Sequence, residues 1–274
     1  MILASETDRP EIEAFLNAHA ATSMFPLANL ANHGMTGGHP RACTFYIRRN
    51  AGQITDVITI TDEGVIFPQC PNGFAGVADI FKGKTAKAIM GDAKQVAALR
   101  TILGLTHKAR MDSVEPAFKL DLADLIVPET HLTLHPLQKV AKETLIQWRA
   151  AYNVETLGGS VDTAVERATS DIDRYIATDT YRSLWDGNTP VAMTGFNATL
   201  PNIVQIGGVY TPPDLRNNGY ARTAVALHLA KSGASQSVLF AANEAAARAY
   251  RAIGFAPNGH FAIAFYDAPQ VIHV

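Results

Sequence analysis

Apolar positions alternate with polar ones along several stretches of this chain and recur every three or four residues along others. Ile12, Phe15, Leu16 and His19 fall on one helical face. Asp8 and Glu11 predict a capping box at the start of that helix, with Pro10 in its first turn. A polar loop is expected over 29–40. Strand-like runs follow at 43–48, 54–60 and 65–67, separated by turn residues at 50–52 and 62–64, and another strand is expected at 84–90. Asp92 then opens a helix that carries Val96, Leu99, Ile102 and Leu103 and stops at Gly104. A short strand at 118–120 precedes Pro128, where two lobes, 1–128 and 129–274, are expected to meet.

The second half starts over in the same order. A strand at 132–134 leads to helices at 138–152 and 161–176, split by Gly158 and Gly159. Strands at 181–185, 191–200 and 203–211 are linked by tight turns, and helix 219–231, strand 237–241, helix 243–253 and strand 261–266 follow. Helices interleaved with hairpin-linked strands place this half in the α/β class, as an α+β mixed sheet.

Composition narrows the function classes. The chain has 274 residues, 47% hydrophobic and 18% charged, which is enough apolar material for a sizeable core and excludes a disordered chain. A formal net charge of −2 gives no global reason to seek nucleic acid or anionic lipid. The only cysteines, Cys43 and Cys70, form no metal-ligand spacing. His131 and His135 are four apart, but Leu132-Thr133-Leu134 and Pro136 argue for extended chain rather than a metal-binding helix face. No apolar run reaches the ~18–20 residues of a membrane span, and no basic segment followed by an apolar run opens the chain. The expectation is a cytoplasmic protein without metal, nucleic-acid or membrane partners. Its oligomeric state is left open.

The segment from Ile206 to Ala221 carries the most chemistry. A strand ends at Thr211, Pro212 and Pro213 stop its pairing, and Arg216-Asn217-Asn218-Gly219-Tyr220-Ala221 opens a helix. The small Gly219 and Ala221 let backbone N–H groups approach a ligand. A helix start carries unpaired donors and partial positive charge, which suits phosphate oxygens, and Arg216 adds a cation. About thirty residues on, Asn243 sits where a strand becomes a helix, able to cap it or to bond a ligand amide. Tyr250 lies two helical turns further along the same face, before Gly254-Phe255.

In this order and at this separation, these elements resemble the Gcn5-related N-acetyltransferase (GNAT) family, over roughly residue 132 to the C-terminus. The resemblance implies the acyl-CoA N-acyltransferase fold, with strands 203–211 and 237–241 splayed into a V and Gly207 and Gly208 forming a bulge. It also implies an acetyl-CoA-dependent transfer of an acetyl group to an amine, that of a small molecule in the first instance. Backbone groups of Val209, Tyr210 and Thr211 would pair with the pantetheine arm. Amides of Asn217, Asn218, Gly219, Tyr220, Ala221 and Arg222 would hold the pyrophosphate, with Arg216 beside them. Asn243 would bond the pantetheine, and Tyr250 would protonate the leaving thiolate. The strand carboxylate that frequently serves the family as base has no counterpart in Ile203-Val204-Gln205-Ile206. Glu155 and Glu244 are candidates, with neither chosen. The resemblance leaves open a larger acyl group, a protein amine as acceptor, or a non-catalytic acyl-CoA sensor. The first half looks like a degenerate copy that lacks the phosphate loop and binds no CoA. Its helix after Asp92 would stand for either the phosphate-loop helix or the terminal helix of the second half.

Overall fold

A computed structural model describes residues 1–35 and 37–274; Thr36, within the loop expected at 29–40, lies outside the described residues. The chain forms two compact units. Unit 1 comprises Met1–Glu115 and Gly259–Val274, and unit 2 comprises Pro116–Asn258.

Unit 1 begins with β1 (Ile2–Leu3), α1 (Arg9–Ala18) and α2 (Ala20–His33). Asp8 does not cap α1. Its carboxylate instead closes a box around Ser5, accepting from the Ser5 N–H at 2.8 Å, and it pairs with Arg49. The loop expected from residue 29 starts later, because α2 continues to His33 on its buried Leu27, Ala28 and Leu30. Strands β2 (Cys43–Asn50), β3 (Gln53–Thr61) and β4 (Val65–Gln69) form an antiparallel meander. Helix α3 (Val77–Phe81) is a turn and a half long and leads to β5 (Thr85–Asp92), parallel to β4. Asp92 caps α4 (Ala93–Ile102) by accepting from the N–H groups of Lys94 and Gln95.

Strand β6 (Met111–Asp121) is longer than the expected 118–120 because it is zipped along its second half to another strand of unit 2. Unit 2 continues with β7 (Thr133–Pro136), α5 (Lys142–Glu155), α6 (Val161–Thr178), β8 (Tyr181–Asp186), β9 (Thr189–Thr199), β10 (Ile203–Tyr210), α7 (Tyr220–Leu229), β11 (Gln236–Phe240) and α8 (Glu244–Arg251). Strands β7 to β10 form an antiparallel meander, β11 runs parallel to β10, and β6 runs antiparallel to β11 from Ala117↔Phe240 to Asp121↔Gln236. The last strand, β12 (Ala256–Val271), pairs antiparallel with β5 of unit 1 from Phe261 onward.

The units therefore do not divide the chain at 128/129. Phe118 and Leu120 are buried with Leu239 and Phe255, and Ile126 donates to the carbonyl of Ile253. A positive φ of 105° at Gly254 lets the Asp124 carbonyl pass where a Cβ would stand. These contacts bind 116–126 to unit 2. The units also share one strand pattern: strand, two helices, a three-strand meander, a helix, a parallel strand and a helix. In each, the sixth strand of the sheet comes from the other end of the chain's repeat. In this alignment of elements α4 corresponds to α8, and the short α3 stands where unit 2 has α7.

Two cores enclose the unit 2 sheet. On one face Val204, Ile206, Val225, Leu239, Ala247, Tyr250 and Phe255 pack with α7 and α8. On the other, Trp148, Ile172, Tyr175, Tyr181, Met193 and Tyr210 join α5 and α6 to the strands. Fully burying each large apolar side chain contributes about 1.5–3 kcal/mol.

Candidate active site

The site begins where two parallel strands part. Strands β10 and β11 pair only at Ile203↔Gln236, Val204↔Ser237 and Gln205↔Val238. Beyond these positions β10 continues beside β9, and β11 continues beside β6. The register between β10 and β9 shifts between Gly207 and Tyr210, leaving Gly208 and Val209 without a partner residue on β9. Gly208 has φ +61°, a left-handed conformation that a side chain disfavours. The parted edges open onto a cavity of about 740 Å³, bounded by the end of β10, the loop into α7, the first turns of α8 and the last turn of α5.

The twelve residues assigned from the sequence to donor binding or to the acid role border this cavity: Val209, Tyr210, Thr211, Arg216, Asn217, Asn218, Gly219, Tyr220, Ala221, Arg222, Asn243 and Tyr250. Their surroundings differ. The loop reaches α7 through two left-handed residues, Asn217 at φ +67° and Gly219 at φ +78°. Gly219 is the N-cap of α7; no side chain caps that end and no acidic residue occupies its first turn. The first amides of α7 are thus available to a ligand. The guanidinium of Arg222 folds back over Gly219, where an added Cβ would lie 3.1 Å from its Nε. Asn218 spends its amide on the carbonyls of Leu215 and Arg216, closing the loop. Tyr220 turns its side chain out of the loop. Its hydroxyl donates to Asp186 at 3.1 Å, and that bond raises the phenol's pKa.

Arg216 is already engaged. Its Nε donates to the Thr211 carbonyl at 3.1 Å, its Nη2 pairs with Glu155 at 2.6 Å, and its plane leans on the Tyr210 ring. The hydrogen bond that Arg216 donates to Glu155 raises the arginine's pKa above its ordinary value. The Nε–Nη2 edge of the guanidinium is thus held by protein groups. Glu155 is thus a counter-ion of the loop, 61 residues away in sequence. The other carboxylate considered as a base, Glu244, pairs with Arg251 at 3.0 Å and does not border the cavity.

Helix α8 presents a small, smooth face. Asn243 caps it, its Oδ1 accepting from the Ala246 N–H at 2.9 Å, so its Nδ2 remains as a donor. Ala246, Ala249 and Tyr250 complete the wall. Tyr250 is 7% exposed and its ring meets Phe255 edge-on. The hydroxyl of Thr211 is buried with no protein partner among the described residues. Sequence reasoning missed Tyr152 and Arg248, which also border the cavity. Arg248, five residues after the capping Asn243, was detectable as an arginine on the short helix α8. Tyr152 is brought in only by the packing of α5. No group of three or more His, Cys, Asp or Glu that could hold a metal occurs among the described residues.

A mixed sheet opened between two parallel strands, with a left-handed loop leading into a helix at the mouth of the opening, defines the acyl-CoA N-acyltransferase fold. Residues 144–255 match the family model described as the acetyltransferase (GNAT) family, and this part of the chain, which holds the cavity, belongs to it. Members of that family use acetyl-CoA as cosubstrate. Along nearly its whole length the chain is similar to a protein from Drosophila, at 12% identity over 96% of this chain and 97% of the other, with a TM-score of 0.63. A GCN5-related N-acetyltransferase from Kribbella flavida matches at 16% identity over 92% and 95%, with a TM-score of 0.54. A tandem GNAT protein from the clavulanic acid biosynthesis pathway matches at 13% identity over 96% and 97%, with a TM-score of 0.52. At these identities the likeness establishes the fold. No curated protein matches the sequence significantly.

Proposed function

We propose that unit 2 is an acetyl-CoA-dependent N-acetyltransferase acting on the amine of a small molecule. The observation that carries this reading is the single cavity in which a parted strand edge, an uncapped helix start and Tyr250 converge. The first amides of α7, with the Arg216 and Arg222 guanidinium groups, take the donor's phosphates. The backbone of Val209, Tyr210 and Thr211, of which Val209 has no partner residue on β9, and the Nδ2 of Asn243 take the pantetheine arm. The neutral amine attacks the thioester carbonyl; the new N–C bond forms, the C–S bond breaks, Tyr250 gives its proton to the departing thiolate, and the surplus N–H proton leaves to water, from which Tyr250 is reprotonated. A backbone N–H at Val209 or Tyr210 stabilises the developing oxyanion. Glu155 and Glu244, each held by an arginine, are left without the role of base.

Unit 1 is read as a degenerate copy. It keeps the strand order, but α3, the counterpart of the phosphate-loop helix, has five residues, which gives few stacked peptide dipoles.

A panel of small-molecule amines, assayed by release of free thiol from acetyl-CoA, tests the reading. Amine-dependent thiol release is expected, and Gly219→Glu should abolish both release and CoA binding by placing a carboxylate where phosphate must sit. Tight CoA binding with no release for any amine would replace the enzyme by an acyl-CoA sensor. CoA binding retained in Gly219→Glu would remove the phosphate-loop assignment.

A further inference from the structure

Strands β9 and β10 each carry one residue too many, and the two irregularities lie side by side. Between Gln205↔Ala198 and Ile206↔Phe196 the pairing advances one residue on β10 and two on β9, so Asn197 is the extra residue of β9. Between Gly207↔Gly195 and Tyr210↔Met193 it advances three on β10 and two on β9, so the second extra residue falls in Gly208-Val209. Paired bulges bend a strand and remove ladder hydrogen bonds, leaving the segment to be held by something else.

Two side chains cover it. Tyr181, opposite Gly195 on β8, lays its ring over Gly195 and Gly208. A Cβ on Gly208 would lie 2.8 Å from Tyr181 Cε1 and 2.9 Å from its Oη, and a Cβ on Gly195 would clash with Cγ, Cδ1 and Cε1 of the same ring. The amide of Asn197 lies over Gly207 in the same way, with its Nδ2 where a Cβ would stand. One hydrogen bond joins the two covers: the Tyr181 hydroxyl donates to Asn197 Oδ1 at 2.7 Å. The ring is braced from behind by Tyr175, stacked at 3.6 Å and 12°, and Tyr181 is 1% exposed. Burial raises its pKa well above that of a free phenol, so the hydroxyl remains a donor at all working pH values.

We propose that Tyr181 and Asn197 are positioning residues, a hydrogen-bonded clamp that fixes Gly207-Gly208 and thereby aims the backbone N–H groups of Val209 and Tyr210 at the reacting carbonyl. Neither side chain is assigned contact with the reacting atoms; both act through β10. The inference rests on the acetyltransferase reading, because that reading gives the freed N–H its task. Negative charge grows on the carbonyl oxygen only toward the transition state. A mis-aimed donor therefore lowers kcat and leaves donor binding nearly intact. The conformational freedom of two consecutive glycines makes an external clamp necessary.

Tyr181→Phe removes the hydroxyl and keeps the ring, so the core stays filled. Its kcat should fall about tenfold, with KM for acetyl-CoA within about twofold of wild type, as expected for one lost hydrogen bond felt mainly in the transition state. Asn197→Ala should behave alike, and the double variant should lose little more than either single one, since both break the same link. Hydrogen exchange of the amides of residues 206–210, measured without substrate, should accelerate about tenfold in Tyr181→Phe, while α6 exchanges as in wild type. Unchanged exchange in that segment overturns the clamp whether or not the protein turns over. Losses that multiply in the double variant, or a loss confined to KM, overturn it as well. If wild type transfers acetyl to no amine, the acetyltransferase reading falls, and exchange alone decides whether Tyr181 and Asn197 hold the bulge.

Discussion

Asn243 carries two duties on one side chain, and two substitutions separate them. Its Oδ1 caps α8 and its Nδ2 is assigned to the donor's pantetheine arm. Asn243→Ala removes both. Loss of an Asn cap costs about 1 kcal/mol, and α8 has eight residues, so the capped amide is a large share of its bonding. In a domain the size of unit 2 that corresponds to a fall in Tm of about 2–4 °C. Asn243→Asp keeps the cap and suits the helix dipole, but has no N–H to give. Its Tm should stay within about 1 °C of wild type, because capping ranks Asp and Asn together. Its Kd for CoA should rise about fivefold, the equivalent of one neutral hydrogen bond of about 1 kcal/mol. Calorimetric titration at about 0.5 M salt, where the Debye length is only ~4–5 Å, screens repulsion between the new carboxylate and the phosphates. Wild-type CoA affinity in Asn243→Asp would refute the Nδ2 assignment. An unchanged Tm in Asn243→Ala would show that the cap contributes nothing to α8.

Tyr250→Phe removes the proposed acid while preserving the ring against Phe255; kcat should fall at least tenfold, within the range typical of general acids, with CoA affinity unchanged, and wild-type turnover would remove the assignment. His228 is buried, stacked on Phe196 at 3.9 Å, and burial, with Arg182 nearby, lowers its pKa to about 3. Its folded pKa lies below the ordinary 6.5, so the unfolded chain binds the extra proton; the stability is intact above pH 6.5 and is lost as pH falls toward 3. Urea unfolding at pH 7 and pH 5 should show a loss of about 2 kcal/mol from this group, absent in His228→Leu, and equal losses in both proteins would place the acid sensitivity elsewhere.

The strands and helices around the site follow from local sequence because their signals are local. Pro212-Pro213 ends β10, and the loop that follows reaches α7 through Asn217 and Gly219, residue types that tolerate positive φ. Asn243 reads as a cap because its side chain suits that position wherever it stands. Local cues failed where a partner distant in sequence chose the outcome. Asp8 and Glu11 have the spacing of a capping box, yet Ser5 and Arg49 compete for Asp8, and Arg49 also takes Glu11. Glu155 is one exposed carboxylate among many until folding places it 2.6 Å from Arg216. Asn197 offers no sign in sequence of being the extra residue of a bulge, because a bulge is a relation between two strands.

By itself the sequence determined the order of elements in the second half, the loop from Arg216 to Arg222 that opens a helix, the capping Asn243 and the spacing of Tyr250 from it. These depend on backbone preferences and helical periodicity, which act over a few residues. Tertiary structure alone decided that β6 from Pro116 onward belongs with unit 2, that the chain from Gly259 onward returns to unit 1, and that Tyr181 and Asn197 cover Gly207-Gly208. Each of those outcomes is a choice of neighbour across more than ten residues of chain, settled by which buried surfaces and backbone hydrogen bonds fit together.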